Sequence, residues 1–506
     1  MSRQRRNGLV ALSGGLAAAM AIGIPASTAS AAAPAGAQHA PIQHVIEIML
    51  ENHTFDNLFG QFPGANGIPA NASFLNPNAF YDSAPNVTPV WASANEGDVQ
   101  GGINNSRAGE QMAMDYQPHT GYAMDHYTVF PQDGMSSVTE FGPGFDPNLQ
   151  YLASHYELAD RNFQPAISPT QPNVMYALNA TAHDWMYNNL NPADTQPWNS
   201  IFDELAAHDR TGKVYYALPP SILNGTIWDK IVPPDLKDLS TADQFYTDLN
   251  QGNLPDFSFV RPGVGYSEEP AEDIAEGDAW LGQLVNAVAT SKYWNSTAIF
   301  VTYDEGGGFW DHVAPPTVTP YGYGSRTPTV IVSPYARAGV FDQQSTNISI
   351  LSFMQHLWNL APLNPLNAQQ NNLLSAFDFG QAPLPAPTLP VAPPDTIAFH
   401  GTGGDLTNLP APGVNASLTV NLAAEGGGLN LDPNASGPVT LALTPPAGVA
   451  APAGFPSSVT LTGGRGSFTV KFGKSGYYRI AATGPGGSQG WTTVDVGVTP
   501  NTTPTP

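Results

Sequence analysis

Two runs of strand-forming residues, far apart in the chain, each break off on acidic or amide side chains. "HVIEIML" runs into Glu51 and Asn52, and "TAIFVTY" runs into Asp304, Glu305 and three glycines. Unbroken β-branched and aromatic runs read as strands buried on both faces, the pattern of a parallel sheet. In such a sheet ligands collect outside the carboxyl ends of the strands. If both strands are central and parallel, four polar side chains converge at one edge. Crowded carboxylates repel and shift each other's pKa, and a bound cation removes the conflict. An oxygen-rich set suits a hard divalent ion such as calcium, magnesium or manganese, with zinc or iron if histidine joins. A lone Asp-Glu after a strand is most often a solvated turn, and Glu51-Asn52 could cap a short helix through Phe59. The repetition at two strand ends brings the metal reading level with these.

The surrounding sequence supports an α/β architecture. Further strand patterns fall at 213–217, 256–260 and 328–333, and helical ones at 148–157, 172–180, 198–208, 242–251, 273–290 and 347–359. Alternating strand and helix implies a largely parallel sheet covered by helices. This pattern fills a domain from 40 to 380. Residues 381–396, "QAPLPAPTLPVAPPDT", read as a stiff linker. From 397 to 498 helical periodicity gives way to short alternating runs separated by Gly, Pro and Asn, as in a small all-β sandwich. The tail 499–506 reads as disordered.

The first 31 residues carry Arg3, Arg5 and Arg6, an apolar stretch and Ala29-Ser30-Ala31, the form of a secretory signal. Arg5-Arg6 hints at twin-arginine export. Secretion or a periplasmic location is expected. Removing three arginines takes the net charge from −24 to −27. Nothing resembles the basic face of a nucleic-acid binder. The absence of cysteine excludes a thiol nucleophile and a thiolate metal site.

A third element is "SPTQPNVMYALNAT", a Ser/Pro/Thr loop entering a helix near Pro172. A hydroxyl at a helix N-terminus is placed to meet an anion. Ser168 or Thr170 could therefore be a nucleophile. Either could equally be a plain cap.

Four segments together resemble a known family. "ENHTFDNLFG", "SPTQPNVMYALNAT", "VTYDEGGGFWDHVAPP" and "SRTPTVIVSPYARAGVF" are similar, in order, to the signature segments of the bacterial phosphoesterase family that holds phospholipases C and certain acid phosphatases. The resemblance covers roughly 42–360. It implies an alkaline-phosphatase-like α/β fold and hydrolysis of phosphate esters, including phospholipid headgroups. It places Thr170 at the nucleophile position, with Glu51, Asn52, Thr170, Asp304 and Glu305 as metal ligands. Asn173 falls where phosphate is held. His119 aligns near a histidine that contacts the phosphoryl group or leaving oxygen, and His312 keeps the histidine of the "DHV" segment beside Asp311. Trp310, between the motif halves, is a pocket candidate able to cage a choline cation.

The chain also departs from the pattern. Glu269 and Asn347 stand where the family usually has histidines, and Val174 where it has an arginine. These changes leave three readings: a phospholipase C-like enzyme, an acid phosphatase-like monoesterase, or a binding protein on a degenerate core whose β-domain holds a cell surface or glycan. His44, His126, His155, His183, His208, His356 and His400 read as surface or satisfied core.

Overall fold

The computed structural model describes residues 40–497, apart from 77–85, 92–103, 118–120, 129–135, 143–145, 189–198, 217–238, 241, 264–265, 271–273, 317–320, 390–395, 401–411, 427–429, 432–434, 447 and 485–487. The expected signal segment, the tail, part of the linker and His119 lie outside the described residues.

The core sheet has eight strands. In chain order they are β1 (His44–Leu50), β2 (Glu157–Ala159), β3 (Gly212–Tyr216), β4 (Leu239–Ser240), β5 (Phe257–Arg261), β6 (Thr297–Tyr303), β7 (Thr329–Val332) and β8 (Gly339–Phe341). Their spatial order is β4-β3-β5-β1-β6-β7-β2-β8. β1 lies at the centre, parallel to both β5 and β6. Only β7 runs against its neighbours. The apolar runs that flagged β1 and β6 are buried along nearly their whole length. This is what a strand covered on both faces requires.

The expected strands and helices all appear, with shifted ends. The helix expected near Pro172 begins two residues earlier and spans Thr170–Asn179, with Pro172 still in its first turn. The short strands β2, β4 and β8, at or near the sheet edges, were not foreseen, because two or three residues give no readable period. Helices cover the sheet in two groups. Pro147–His155 packs on Ile274–Ala289, and Ile348–Trp358 packs on Thr170–Asn179, which meets Ile201–Ala207.

The C-terminal part is all β, with a hydrophobic core of its own that includes Val420, Val439, Tyr478, Ile480 and Val494. One sheet is built on Ser417–Gly426, paired with Thr396–His400 and Arg465–Lys471. The other runs Ser458–Leu461, Gly437–Thr444, Gly476–Thr483, Gln489–Val496. Burial alternates along Gly437–Thr444 and Arg465–Lys471, as expected of sandwich strands with one wet face.

Candidate active site

The register of β1 and β6 decides the geometry. Leu50 lies opposite Tyr303, and the Asp304 amide donates to the Leu50 carbonyl at 3.2 Å. The ladder thus continues one step and sets Glu51 beside Asp304. Asn52, Asp304 and Glu305 are fully buried. Gly307, at φ +64°, lets the turn after β6 press against Asn52, since a Cβ there would lie 2.3 Å from the Asn52 carbonyl oxygen.

Thr170 opens its helix behind Pro169, and no side chain caps that helix. The Thr170 hydroxyl instead lies close enough to the Asp304 carboxylate to favour its ionised form. Asn173 holds this arrangement from within the helix. Its Nδ2 donates to the Ser168 carbonyl at 2.7 Å, and its Oδ1 accepts from the Ala166 amide at 3.2 Å. Its amide is spent on the loop that presents Thr170.

Three further side chains complete the cluster, none of them read from the sequence. Arg261, the last residue of β5, pairs through Nη2 with Glu51 and lies 3.7 Å from Asp304 Oδ2. Asn105 Nδ2 donates to Glu305 Oε1 at 2.6 Å. Glu110 is buried beside Glu305 and accepts from Gln164 at 3.0 Å. Arg261 was findable: the strand-end rule that flagged Glu51 and Asp304 applies equally to "FSFVRP". Asn105 and Glu110 arrive on a loop and short helix with no such signal. Glu269 reaches the edge of the site, where Asn52 Nδ2 donates to it at 2.5 Å.

Negative groups outnumber positive ones here. Burial pushes Asp304 up to about 7, opposed by Arg261. Burial also pushes Glu110 up to about 8. Glu305 is raised well above its usual range by burial, then by Glu110 and Asp304. Without another cation these acids cannot all ionise. Asn52 Oδ1, Glu110 Oε1 and Asp304 Oδ2 are buried and make no hydrogen bond of ordinary geometry. Orphaned oxygens converging from two strand ends and a short helix are the donors that a hard divalent ion takes. The residues present therefore fit such an ion.

Two other groups bring three ligand atoms within 4.8 Å of one another and are able to hold a divalent metal: Asp56–Asp311–His312 and Asp115–Asp125–His126. In the first, Arg326 already pairs with both carboxylates, at 2.9 Å each.

Several expected site residues sit elsewhere. His312 hydrogen-bonds Asp56 and Asn66, and Asp311 is bound to Arg326. Neither makes a hydrogen bond to Thr170 or Asp304. Trp310 is 5% exposed, donates to the Met124 carbonyl and packs edge-on to Phe74, so it is a core residue rather than a cage wall. Asn347 donates to the Tyr303 carbonyl at 2.9 Å and accepts from Asn162 at 3.0 Å, which ties β6 to the helix behind it. A cleft of about 570 Å³ lined by Tyr176, Tyr321, Tyr323, Asn364 and Gln370 carries no charged side chain.

Residues 42–361 match the Phosphoesterase family. The chain belongs to this family. As a phosphoesterase it is a phosphoric ester hydrolase. It is similar to non-specific phospholipase C6 of Arabidopsis thaliana, 26% identical over 375 residues that cover 67% of this chain and 70% of that protein. It is also similar to non-hemolytic phospholipase C of Pseudomonas aeruginosa, 24% identical over 491 residues, covering 81% and 68%. Across five Arabidopsis phospholipases C the matches span 62% to 70% of the relative's length. A solved structure of an alkaline phosphatase superfamily protein from Vibrio parahaemolyticus matches with a TM-score of 0.36 at 13% identity, covering 57% and 72%. Among the described residues of this phosphoesterase, no helix is long and apolar enough to cross a membrane.

Proposed function

We propose that this phosphoesterase is an exported, metal-dependent phosphodiesterase of phospholipase C type with Thr170 as nucleophile. The observation that carries the reading is the Thr170 hydroxyl at the start of its helix, beside the buried Asp304 carboxylate at the strand end where Glu51 and Asn52 also arrive. Glu51, Asn52, Thr170, Asp304 and Glu305 would hold the ion. When bound, the ion lowers the pKa of the attacking hydroxyl and polarises a phosphoryl oxygen.

The chain's own residues do the rest. Asn173 fixes the loop, so the Thr170 oxygen is presented without a conformational search. That oxygen gives up its proton to solvent and forms a bond to phosphorus as the bond to the leaving alkoxide breaks. The alkoxide takes a proton from His119, the histidine that the resemblance sets at the phosphoryl group or leaving oxygen. Water then cleaves the phospho-threonine and restores the hydroxyl. The diester reading is favoured because the relatives similar over most of this domain are phospholipases C.

The test is turnover of a chromogenic phosphorylcholine ester by the full chain and by Thr170→Ala across added divalent ions. Metal-dependent turnover should fall by at least about a thousandfold in the variant, with melting temperature unchanged. Turnover of a monoester alone would replace the diester reading with an acid phosphatase-like one. Full activity in T170A would remove Thr170 from the mechanism.

A further inference from the structure

The proposal here rests on the metal reading of the strand-end site. Arg261 is the one cation among the described side chains in contact with that cluster. It ends β5, which pairs directly with β1 through Ile48 and Val260. Its place beside Glu51 is therefore built into the sheet. The side chain is 3% exposed. A buried guanidinium normally donates from all its nitrogens. Arg326 does so, through Nε, Nη1 and Nη2. Arg261 leaves its Nε buried without a partner. It is thus held mainly by charge, facing Glu51, Asp304, Glu269 and Glu305.

We propose that Arg261 is an internal counter-cation that holds Glu51 and Asp304 in the metal-free protein and competes with the divalent ion for Glu51. A guanidinium in contact with Glu51 covers a carboxylate the ion needs. Two cations a few ångströms apart also repel in a site that excludes water. Entry of the ion therefore requires Arg261 to draw back from Glu51. The Tyr216 ring, with its centroid 5.9 Å from Cζ on the neighbouring strand, gives the guanidinium a face to move towards. The arrangement keeps the acids neutralised before metal arrives and makes the ion weaker-binding than its ligand set alone would.

The experiment strips the full chain with chelator, then titrates Mn²⁺ and Ca²⁺ calorimetrically into wild type and Arg261→Gln, and melts both metal-free proteins. R261Q should bind the ion about tenfold more tightly or better. Its metal-free form should melt several degrees lower, by roughly 5 °C. Affinity is the deciding readout. Equal or weaker binding by R261Q overturns the competition while leaving the metal site standing. Binding by neither protein overturns both the metal site and the competition. If R261Q does not fold, Arg261→Lys takes its place: a smaller ammonium that cannot span Glu51 and Asp304 together should still tighten the ion, and unchanged affinity would overturn the proposal.

Discussion

The protein buries two acidic clusters at the same end of its sheet, and they are built on opposite principles. Around Arg326, Asp56 and Asp311 are each matched by the guanidinium at 2.9 Å. Nη1 of that arginine also donates to the Asn66 and Asp160 carbonyls, and His312 closes the set against Asp56 at 2.6 Å. Acids and donors balance. At the ends of β1 and β6, one arginine faces a larger number of carboxylates, and several buried oxygens lack a donor. A balanced buried cluster needs nothing from outside and fixes structure. An unbalanced one is completed only by something that enters, which is what a site for an ion or ligand requires.

Substitution should separate the two. Removing the balancing cation of the closed cluster, in Arg326→Met, leaves Asp311 without its cation and Asp56 with His312 alone, and should cost about 3–5 kcal/mol of stability. Activity per folded molecule should survive at low temperature. Asp304→Asn in the open cluster should do the reverse. The metal-free melting temperature should hold to within about 2 °C, because a neutral isostere relieves the crowding. Turnover should fall on the order of a thousandfold. Paired melting curves and assays decide it. Loss of stability in D304N with R326M unaffected would invert the assignment.

The contrast also explains what the sequence could and could not reveal. Strand ends are local signals, so Glu51, Asn52, Asp304 and Glu305 were readable from the runs preceding them. Their convergence depended on β1 and β6 being parallel neighbours, which the alternation of elements implied. The fate of amides was not readable. Asn173 and Asn347 each carry a donor and an acceptor, and only the tertiary surroundings decide whether these face a ligand or a backbone. Both turned out to serve the scaffold. Trp310 was ambiguous for the same reason, since an aromatic beside a motif packs equally well into a core. Arg261 ends its strand on the opposite charge, so a rule that looks for anionic ligands at strand ends passes over it.

A third arrangement, an acid with hydrogen bonds but no cation, gives a smaller effect that depends on pH. Asp278 accepts from the Asn148 amide at 3.0 Å and the Leu149 amide at 2.8 Å, capping Pro147–His155 from a neighbouring helix. Burial outweighs those bonds and raises its carboxyl to about 6. The folded state therefore holds this proton more tightly than the unfolded chain. Its contribution is complete below about pH 3.8 and is lost as pH rises through about 6, up to roughly 3 kcal/mol. Asp278→Asn mimics the protonated form. Its stability relative to wild type should grow between pH 4 and 7, followed by urea melts at each pH. A difference that stays flat would mean that the helix amides outweigh burial and the carboxyl is ionised throughout.

The smallest expected effect tests whether a replaced family histidine still touches substrate. Asn347 stands at such a position, yet its amide spans Tyr303, Asn162 and Thr302 behind the strand end. Asn347→Ala should leave the Tyr303 carbonyl without its side-chain donor and cost about 1–3 kcal/mol of stability. Because Tyr303 precedes Asp304, a small drop in kcat from a loosened strand end is expected, with KM unchanged. A residue that held the phosphoryl group would behave differently: its loss would raise KM and leave the melting temperature alone. The split between KM and melting temperature distinguishes the two roles. A raised KM would extend the open cluster to Asn347, whereas a lowered melting temperature alone would place this position with the closed scaffold around Arg326.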